Sequence, residues 1–388
     1  MKVLQLHTRY RIPAGEDSVV DNEAAALRRA GHDVSQVVVE NPSSSADAIR
    51  ELARSLHNRP VARRVRSEIE RFEPDVVHVH NTWFALSSSA IGAAAGVPVV
   101  MTLHNYRLGC ITVDLFRDGR VCTACVGRSP IRGVVHGCYR DSRLQSAVQA
   151  TEVVVTRRRG VLDRGVDRFV APSSFMADRL LDIGIPADRM VVKPHFVADP
   201  GPRNAPPSAS GDVLYIGRLA PGKGVETLLA AWDEVARSSE PLRSRLVVIG
   251  DGPMAAELRT SLPAGAEMLG WLSRAEVTER LLTARALVMP SEWYEPFGMV
   301  LIEAMSAGLP IIVTSAAGAR SIVETTDRLV VPPRQPTALA TAIASLDDVT
   351  VDGAGAANRV TFEQRYTEQV GVANLEALYR STIEAARP

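Results

Sequence analysis

The sequence predicts an α/β protein made of two Rossmann-like domains in tandem with a cleft between them. Three observations carry that prediction. Short β-branched runs alternate with helical patterns through the first half, as expected of βαβ units on a mostly parallel sheet. The segment from Asp199 to Gly211 is packed with Pro, Gly, Ser and Asn and reads as an interdomain linker. The alternation then restarts, and 388 residues is a length that suits two domains.

In the first half, Val3–His7 reads as a strand and Asp17–Ala30 as a helix, with Val19, Val20, Ala24 and Leu27 on one side and Gly31 as its stop. Val34–Val39 is the next strand. Asp75–His80 and Val97–Leu103 follow, separated by an Ala-rich helix. Arg168–Ala171 is a further strand, and Pro172-Ser173 opens the helix Ser173–Ile183. Beyond the linker, Val213–Ile216, Leu246–Ile249, Glu267–Leu269, Ala286–Met289, Pro310–Val313 and Leu329–Val331 are strands with helices between them. Arg359–Arg387 reads as one long amphipathic helical tract.

Composition narrows the function classes. The 44 basic and 44 acidic side chains balance, which argues against a general nucleic-acid binder. The longest mostly apolar stretch, near Ala90–Leu103, is too short and mixed to span a membrane. A strand pattern begins at Val3, without the pattern of a secretory signal, so a cytoplasmic location is expected. Only Lys2, Lys193 and Lys223 are lysine, so a lysine in a glycine-rich turn stands out.

Ligands on such sheets sit beyond the carboxyl ends of the strands. The strongest cluster there runs from Tyr215 to Gly224: a strand end, a glycine-rich turn, then a helix start near Val225. Backbone N–H groups and the positive helix end would face an anion, and Arg218 and Lys223 add two charges. The string Gly217-x4-Gly222-Lys223 is followed by Gly224, so the hydroxyl of a P-loop is missing. A phosphate or diphosphate site is favoured over a nucleotide triphosphatase. Gly250-Asp251-Gly252-Pro253-Met254-Ala255 matches G-x-G-x-x-A, but its place in the second half favours plain turn chemistry. Glu295 and Glu303 flank Phe297-Gly298, with Glu295 expected just before a helix and Glu303 about two turns into it, on the same face. Carboxylates beside hydroxyl-rich groups and N–H donors at Phe297–Met299 suit a sugar nucleotide. In the first half, the loop Pro13–Asp17 can bring Gly15 close to a phosphate. His104 follows its strand as the cleft candidate, able to bind a hydroxyl or share a proton near neutral pH, whereas His78 reads as a core residue. The chain has no D-x-D pair, so arginine, lysine and helix ends must neutralise a departing diphosphate.

These clusters together resemble the retaining glycosyltransferases of family GT4, which have the GT-B fold. The matching pieces are Ala14-Gly15, His104, Gly217-Arg218 with Lys223, Leu269-Gly270-Trp271-Leu272, and the pair Glu295 and Glu303. The resemblance implies a donor site in which Arg218 and Lys223 bind the diphosphate. Glu303 would hold the ribose, Glu295 would face the transferred sugar, and backbone at Phe297, Gly298 and Met299 would contact sugar or phosphate. Trp271 and Leu272 would lie by the base and His104 by the sugar. It implies an acceptor-binding domain over 1–198 with a cysteine-bearing insertion at 105–143, a linker at 199–211, a nucleotide-sugar-binding domain over 212–358, and a C-terminal helix over 359–388 crossing back to the first domain. The donor would be a UDP-, GDP-, ADP- or dTDP-sugar, with no metal ion in catalysis. Two departures stand out: alanine at Ala14 where a glycine pair is usual, and Arg320-Ser321 where Pro-Glu is usual. A sugar-nucleotide epimerase on the same fold and a non-catalytic nucleotide-sugar binder are the alternatives.

All four cysteines, Cys110, Cys122, Cys125 and Cys138, fall within 29 positions as C-x11-C-x2-C-x12-C. In a cytosolic chain this spacing suits a structural four-thiolate zinc site, with Asp118-Gly119 as its tight turn; free thiols, a redox pair and an iron–sulfur cluster remain open. The arginine runs at Arg63-Arg64-Arg66 and Arg157–Arg159 read as solvated faces, with peripheral contact to the inner face of a membrane as the sharper alternative.

Overall fold

The computed structural model describes residues 1–10, 15–41, 58–83, 85–237, 244–316, 318–323 and 327–386. Pro13, Ala14 and Arg387 of the sequence reading lie outside them. The chain divides into two compact units: residues 1–115, 123–195 and 369–388 form unit 1, and residues 116–122 and 196–368 form unit 2.

Unit 1 carries strands β1 (Lys2–Arg9), β2 (Asp33–Glu40), β3 (Val76–Asn81), β4 (Val99–Thr102), β7 (Arg168–Ala171) and β8 (Met190–Val192). They form a parallel sheet in the order β2-β1-β3-β4-β7-β8. Its helices are α1 (Gly15–Arg29), α2 (Arg59–Phe72), α3 (Ser89–Ala93), α4 (Ile131–Val135), α5 (Arg143–Arg158), α6 (Val161–Gly165) and α7 (Ser174–Ile183). Local chemistry sets their ends. The Ser173 side chain caps α7 by accepting from the Met176 amide, and left-handed Gly184 closes it. Asn58 and Ser142 cap α2 and α5 in the same way. All six residues of β3 are buried, as a strand covered on both faces requires.

Unit 2 holds β9 (Asp212–Ile216), β10 (Arg245–Ile249), β11 (Ala266–Gly270), β12 (Ala286–Met289), β13 (Ile311–Thr314) and β14 (Val330–Val331), with α8 (Val225–Ala236), α9 (Ala255–Thr260), α10 (Arg274–Thr283), α11 (Met299–Ser306), α12 (Pro336–Ala344) and α13 (Asp348–Arg365). The sheet order is β11-β10-β9-β12-β13-β14, again parallel. Alternate strand residues feed two cores. Val213, Val248 and Val288 join Trp232 of α8 on one side, while Leu214, Val247 and Leu287 join Leu301 of α11 on the other. Each such buried side chain contributes about 1.5–3 kcal/mol. The hairpin strands β5 (Phe116–Arg117) and β6 (Arg120–Val121) also belong to unit 2, and Asp118-Gly119 forms their turn.

Two segments make contacts that the sequence alone does not show. The proline-rich stretch read as a linker packs on unit 2: the Arg203 guanidinium donates to the carbonyls of Ala284 (2.6 Å), Ala307 (3.1 Å) and Leu281 (3.4 Å), and Ser208 donates to Asp352. The C-terminal tract is two helices, α13 and α14 (Glu368–Ala386), broken at Tyr366-Thr367. There the Val197 amide donates to the Tyr366 carbonyl at 3.2 Å, and Tyr366 Oη donates to Ile322 O. At this break the Tyr366 carbonyl meets the Val197 amide rather than an amide of the following turn, and the chain changes direction. Helix α14 then joins unit 1, where Glu376 meets His32 at 2.8 Å and Tyr379 meets His78 at 2.8 Å.

Gly250, at the end of β10, has φ +141°, and a Cβ there would lie 1.9 Å from the Gly217 carbonyl oxygen. Gly250→Ala must both adopt a strained backbone and push the β9 loop away. A loss of at least about 2 kcal/mol is expected in urea melts.

Candidate functional site

In unit 2 the strand order reverses between β9 and β12, and the loops after these two strands flank the resulting crevice, the place where open α/β sheets bind ligands. The β9 loop runs from Gly217 to Gly224, and Tyr215 Oη anchors it by donating to Arg218 O at 3.2 Å. The β12 loop, Pro290–Gly298, is stitched to it. The Glu292 amide donates to Gly222 O at 2.8 Å, and Thr227 Oγ1 donates to Glu292 Oε1 at 2.7 Å. Gly224 (φ +73°) starts α8 so close to this loop that a Cβ would lie 1.9 Å from Pro290 O. Only glycine permits that approach.

The stitching brings together two residues 72 positions apart. Lys223 Nζ donates to Glu295 Oε2 at 2.7 Å and lies 4.4 Å from the centre of the Trp293 ring. The same oxygen accepts from Trp293 Nε1 at 2.8 Å and from Ser291 Oγ at 3.4 Å. The ammonium is therefore held by a carboxylate at the mouth of the crevice. Arg218, in the same loop, is exposed. Helix α11 starts at Met299, with left-handed Gly298 before it. Glu303 thus stands just over one turn inside, not two, because the helix begins later than the Pro296-Phe297-Gly298 sequence suggested. Burial raises the Glu303 carboxyl above its ordinary range, while Arg274, 3.9 Å away, works against that shift. The Phe297 side chain is buried in the core, so its backbone alone can meet a ligand; Trp271 is 75% exposed and Leu272 packs partly into the core.

In unit 1, five of the eight histidines gather around the carboxyl ends of the strands: His7 on β1, His78 and His80 on β3, His104 after β4, and His195 after β8. His78 is a core residue, bonded through Nδ1 to Tyr379 Oη and through Nε2 to Thr102 Oγ1 (2.7 Å). His80 Nδ1 meets His104 Nε2 at 3.2 Å, and the His104 ring stacks on those of His80 and His195. Burial pushes His104 down to about 3, with His78, His80 and His195 also well below the ordinary imidazole value. That shift favours the neutral imidazole of His104 near neutral pH. Gly15 opens α1, and Glu16 beside it accepts from Asn105 Nδ2 at 2.8 Å.

The reading of the sequence missed Glu23 and Lys193. Lys193 Nζ donates to Glu23 Oε1 at 2.5 Å, with side chains 3% and 2% exposed. Lysine scarcity was the available signal, but nothing in the sequence marks Glu23. It also missed Glu152, whose carboxyl burial raises to about 8.

All four cysteines of the expected zinc site are partly buried. Of the cysteines, Cys122 belongs to unit 2 and the other three to unit 1. Among the described residues, the group of three or more whose ligand atoms lie within 4.8 Å of one another is Glu23, His78 and His80, and the unit 1 cysteines form no such group. Cys110 Sγ instead lies 3.1 Å from Thr112 Oγ1. Glu23, His78 and His80 do not fit a metal either: Lys193 already neutralises the carboxylate, and both His78 nitrogens are engaged.

With this geometry in hand, comparison with known proteins decides the family. Residues 14–199 match the model described as glycosyltransferase family 4, and residues 210–348 match that described as glycosyl transferases group 1. The chain belongs to this glycosyltransferase family. It is 26% identical over 288 residues to a glycogen synthase of Mycobacterium tuberculosis, covering 71% of this chain and 61% of that one. To the sulfoquinovosyl transferase SQD2 of Arabidopsis thaliana it is 26% identical, covering 67% and 46%. To a phosphatidyl-myo-inositol mannosyltransferase of Mycolicibacterium smegmatis it is 25% identical, covering 81% and 75%. The chain thus spans about three-fifths or less of the first two relatives. Among solved structures, a sucrose-phosphate synthase of Thermosynechococcus elongatus superposes with TM-score 0.73 at 17% identity over the full length of both chains. Anabaena HepE in complex with UDP gives 0.68 at 18%, covering 98% of this chain and all of that one. These likenesses establish the GT-B fold. Among the described residues, no helix is long and apolar enough to cross a membrane.

Two tests follow. Lys193→Met leaves the Glu23 carboxylate buried and unpaired, at an expected cost of about 3–5 kcal/mol. Adding Glu23→Gln should recover much of it in urea melts. Second, His78, His80, His104 and His195 have folded pKa values below the unfolded one of about 6.5. As pH falls below 6.5 the unfolded state binds protons the folded state refuses, so their stabilisation is lost. Glu16, Glu152 and Glu303, whose values are raised, act in the opposite direction above about 4.5. A difference measurement isolates the histidine effect. The stability of the wild type relative to His195→Gln should decline from pH 6.5 to 5 by up to about 1.4 kcal/mol per pH unit.

Proposed function

We propose that this protein is a retaining glycosyltransferase that moves a sugar from a nucleoside-diphosphate sugar to an acceptor hydroxyl, in glycan, glycolipid or secondary-metabolite synthesis. The observation that carries the reading is the meeting of Lys223 with Glu295 at the reversal of the unit 2 sheet, with the glycine-rich β9 loop on one side and Glu303 on the other. In this reading the donor diphosphate lies over the β9 loop, against Lys223, Arg218 and the start of α8. The negative charge draws Lys223 from Glu295, and the freed carboxylate oxygen faces the hydroxyls of the transferred sugar. Glu303 accepts from the ribose, Trp271 and Leu272 border the base, and the backbone at Gly298 and Met299 donates to sugar or phosphate. Gly15 and His104 supply the contacts from the first domain.

As the bond between the anomeric carbon and the diphosphate oxygen breaks, charge grows on the leaving diphosphate, where Lys223 and Arg218 stabilise it. The acceptor oxygen attacks from the same face and passes its proton to that diphosphate, so no enzyme nucleophile is needed. HepE has been solved with UDP and with UDP-glucose, which makes UDP-glucose the first donor to try.

Binding to the folded state alone raises the melting temperature. One of UDP, GDP, ADP and dTDP should stabilise the wild type but neither Lys223→Ala nor Glu303→Ala. Glu295→Gln should keep nucleotide binding while lowering turnover about 100-fold or more, the loss typical when a group aimed at the transition state is removed. Nucleotide-sugar binding with neither hydrolysis nor transfer would instead identify a binding protein. Conversion of the donor without an acceptor would identify an epimerase.

A further inference from the structure

Among the stacked imidazoles of unit 1, the carboxylate of Glu23 lies 3.7 Å from both His78 Nδ1, which already meets Tyr379 Oη, and His80 Nε2, while Asp17 meets His7. Glu23 is 1% exposed and forms an ion pair through Oε1 with the Lys193 ammonium. Its Oε2 lies 3.7 Å from His80 Nε2, and neither of these buried atoms has a hydrogen-bond partner. An ionised carboxylate only accepts, so it favours the His80 tautomer with the proton on Nε2 and a bare Nδ1. That bare nitrogen faces His104 Nε2 at 3.2 Å. Two neutral imidazoles share such a contact only if one donates, and His80 Nδ1 has no proton to give. The proton of His104 therefore sits on Nε2. His104 Nδ1 is left as a lone pair on a partly exposed ring, without a hydrogen bond among the described residues.

We propose that Glu23, acting through His80, fixes His104 as a hydrogen-bond acceptor at Nδ1, so that the ligand group meeting it is a hydroxyl that donates, not a phosphate or carbonyl oxygen. Glu23 and His80 are positioning residues, and the inference about the ligand rests on the glycosyltransferase reading. The burial that keeps both rings neutral supports the same chain of tautomers.

Long-range proton–nitrogen spectra of the full ¹⁵N-labelled chain at neutral pH, without ligand, read each tautomer directly. His80 and His104 should both carry the proton on Nε2. A proton on His104 Nδ1, or a doubly protonated ring, overturns the assignment. The charge-balanced double variant Glu23→Gln with Lys193→Met tests the origin of the effect, since an amide can either donate or accept. His104 should then shift to a mixture of tautomers, and an unchanged spectrum removes Glu23 from the mechanism. If that variant does not fold, His80→Gln provides the same test one step nearer. For the ligand, UDP-glucose is compared with analogues in which single sugar hydroxyls are replaced by hydrogen or by fluorine. At the hydroxyl that meets His104, both replacements should weaken binding equally, about two- to tenfold, because fluorine cannot donate. Affinity kept by fluorine but lost with hydrogen would make His104 a donor and overturn the proposal. If UDP-glucose does not bind, the donor reading fails while the spectra still decide the tautomer.

Discussion

A parallel sheet cannot be closed by short hairpins: each strand must be left at its carboxyl end and the next entered at the opposite end. Every loop that leaves a strand therefore collects along one edge. Where the strand order reverses, the neighbouring loops diverge and leave a crevice. Both units obey this constraint, and their chemistry follows from it. In unit 2 it places the loops after β9 and β12 side by side, although 72 residues separate Lys223 from Glu295. In unit 1 it gathers histidines from strands and loops spread over almost 190 positions into one row. The remaining geometry is fine adjustment at those edges, above all the glycine contacts that let one loop lie on another's carbonyl groups.

Much of this was legible in the sequence. The strands are runs of β-branched residues bounded by Gly, Pro and Asn, and burial on both faces removes the ambiguity that a half-exposed strand would bring. The loop Gly217–Gly224 was legible because a strand end, three glycines and a rare lysine coincide in ten residues. The contact between Lys223 and Glu295 was not, since it depends on sheet order. The partners of His104 escaped notice for the same reason: Glu23 lies on α1, where it reads as one more acid on an amphipathic helix.

Other features depend on contacts that the local sequence does not encode. The Pro- and Gly-rich segment reads as an interdomain linker, and nothing local shows that Arg203 within it satisfies carbonyls at the ends of α10 and α11. A helical pattern running through Tyr366 gives no hint of the break at which its carbonyl meets the amide of Val197, a residue 169 positions earlier. In each case the contact is long-range.

All three lysines pair with a glutamate; Lys2 meets Glu73 only at 4.0 Å on the exposed surface, and exposure separates the roles of the other two. Lys193 and Glu23 are 3% and 2% exposed, closed off from any ligand, so neither charge can leave without stranding the other. Lys223 and Glu295 are 24% and 12% exposed. That pair lies where an anion can approach, and a compact ammonium on a flexible stem can turn from a carboxylate to a phosphate with little rearrangement. A guanidinium, locked to its partner by a planar fork, would exchange less readily. In a chain that otherwise uses arginine for nearly all its positive charge, a lysine at each place suits the need there: a point charge small enough to bury in one, and free enough to be shared in the other.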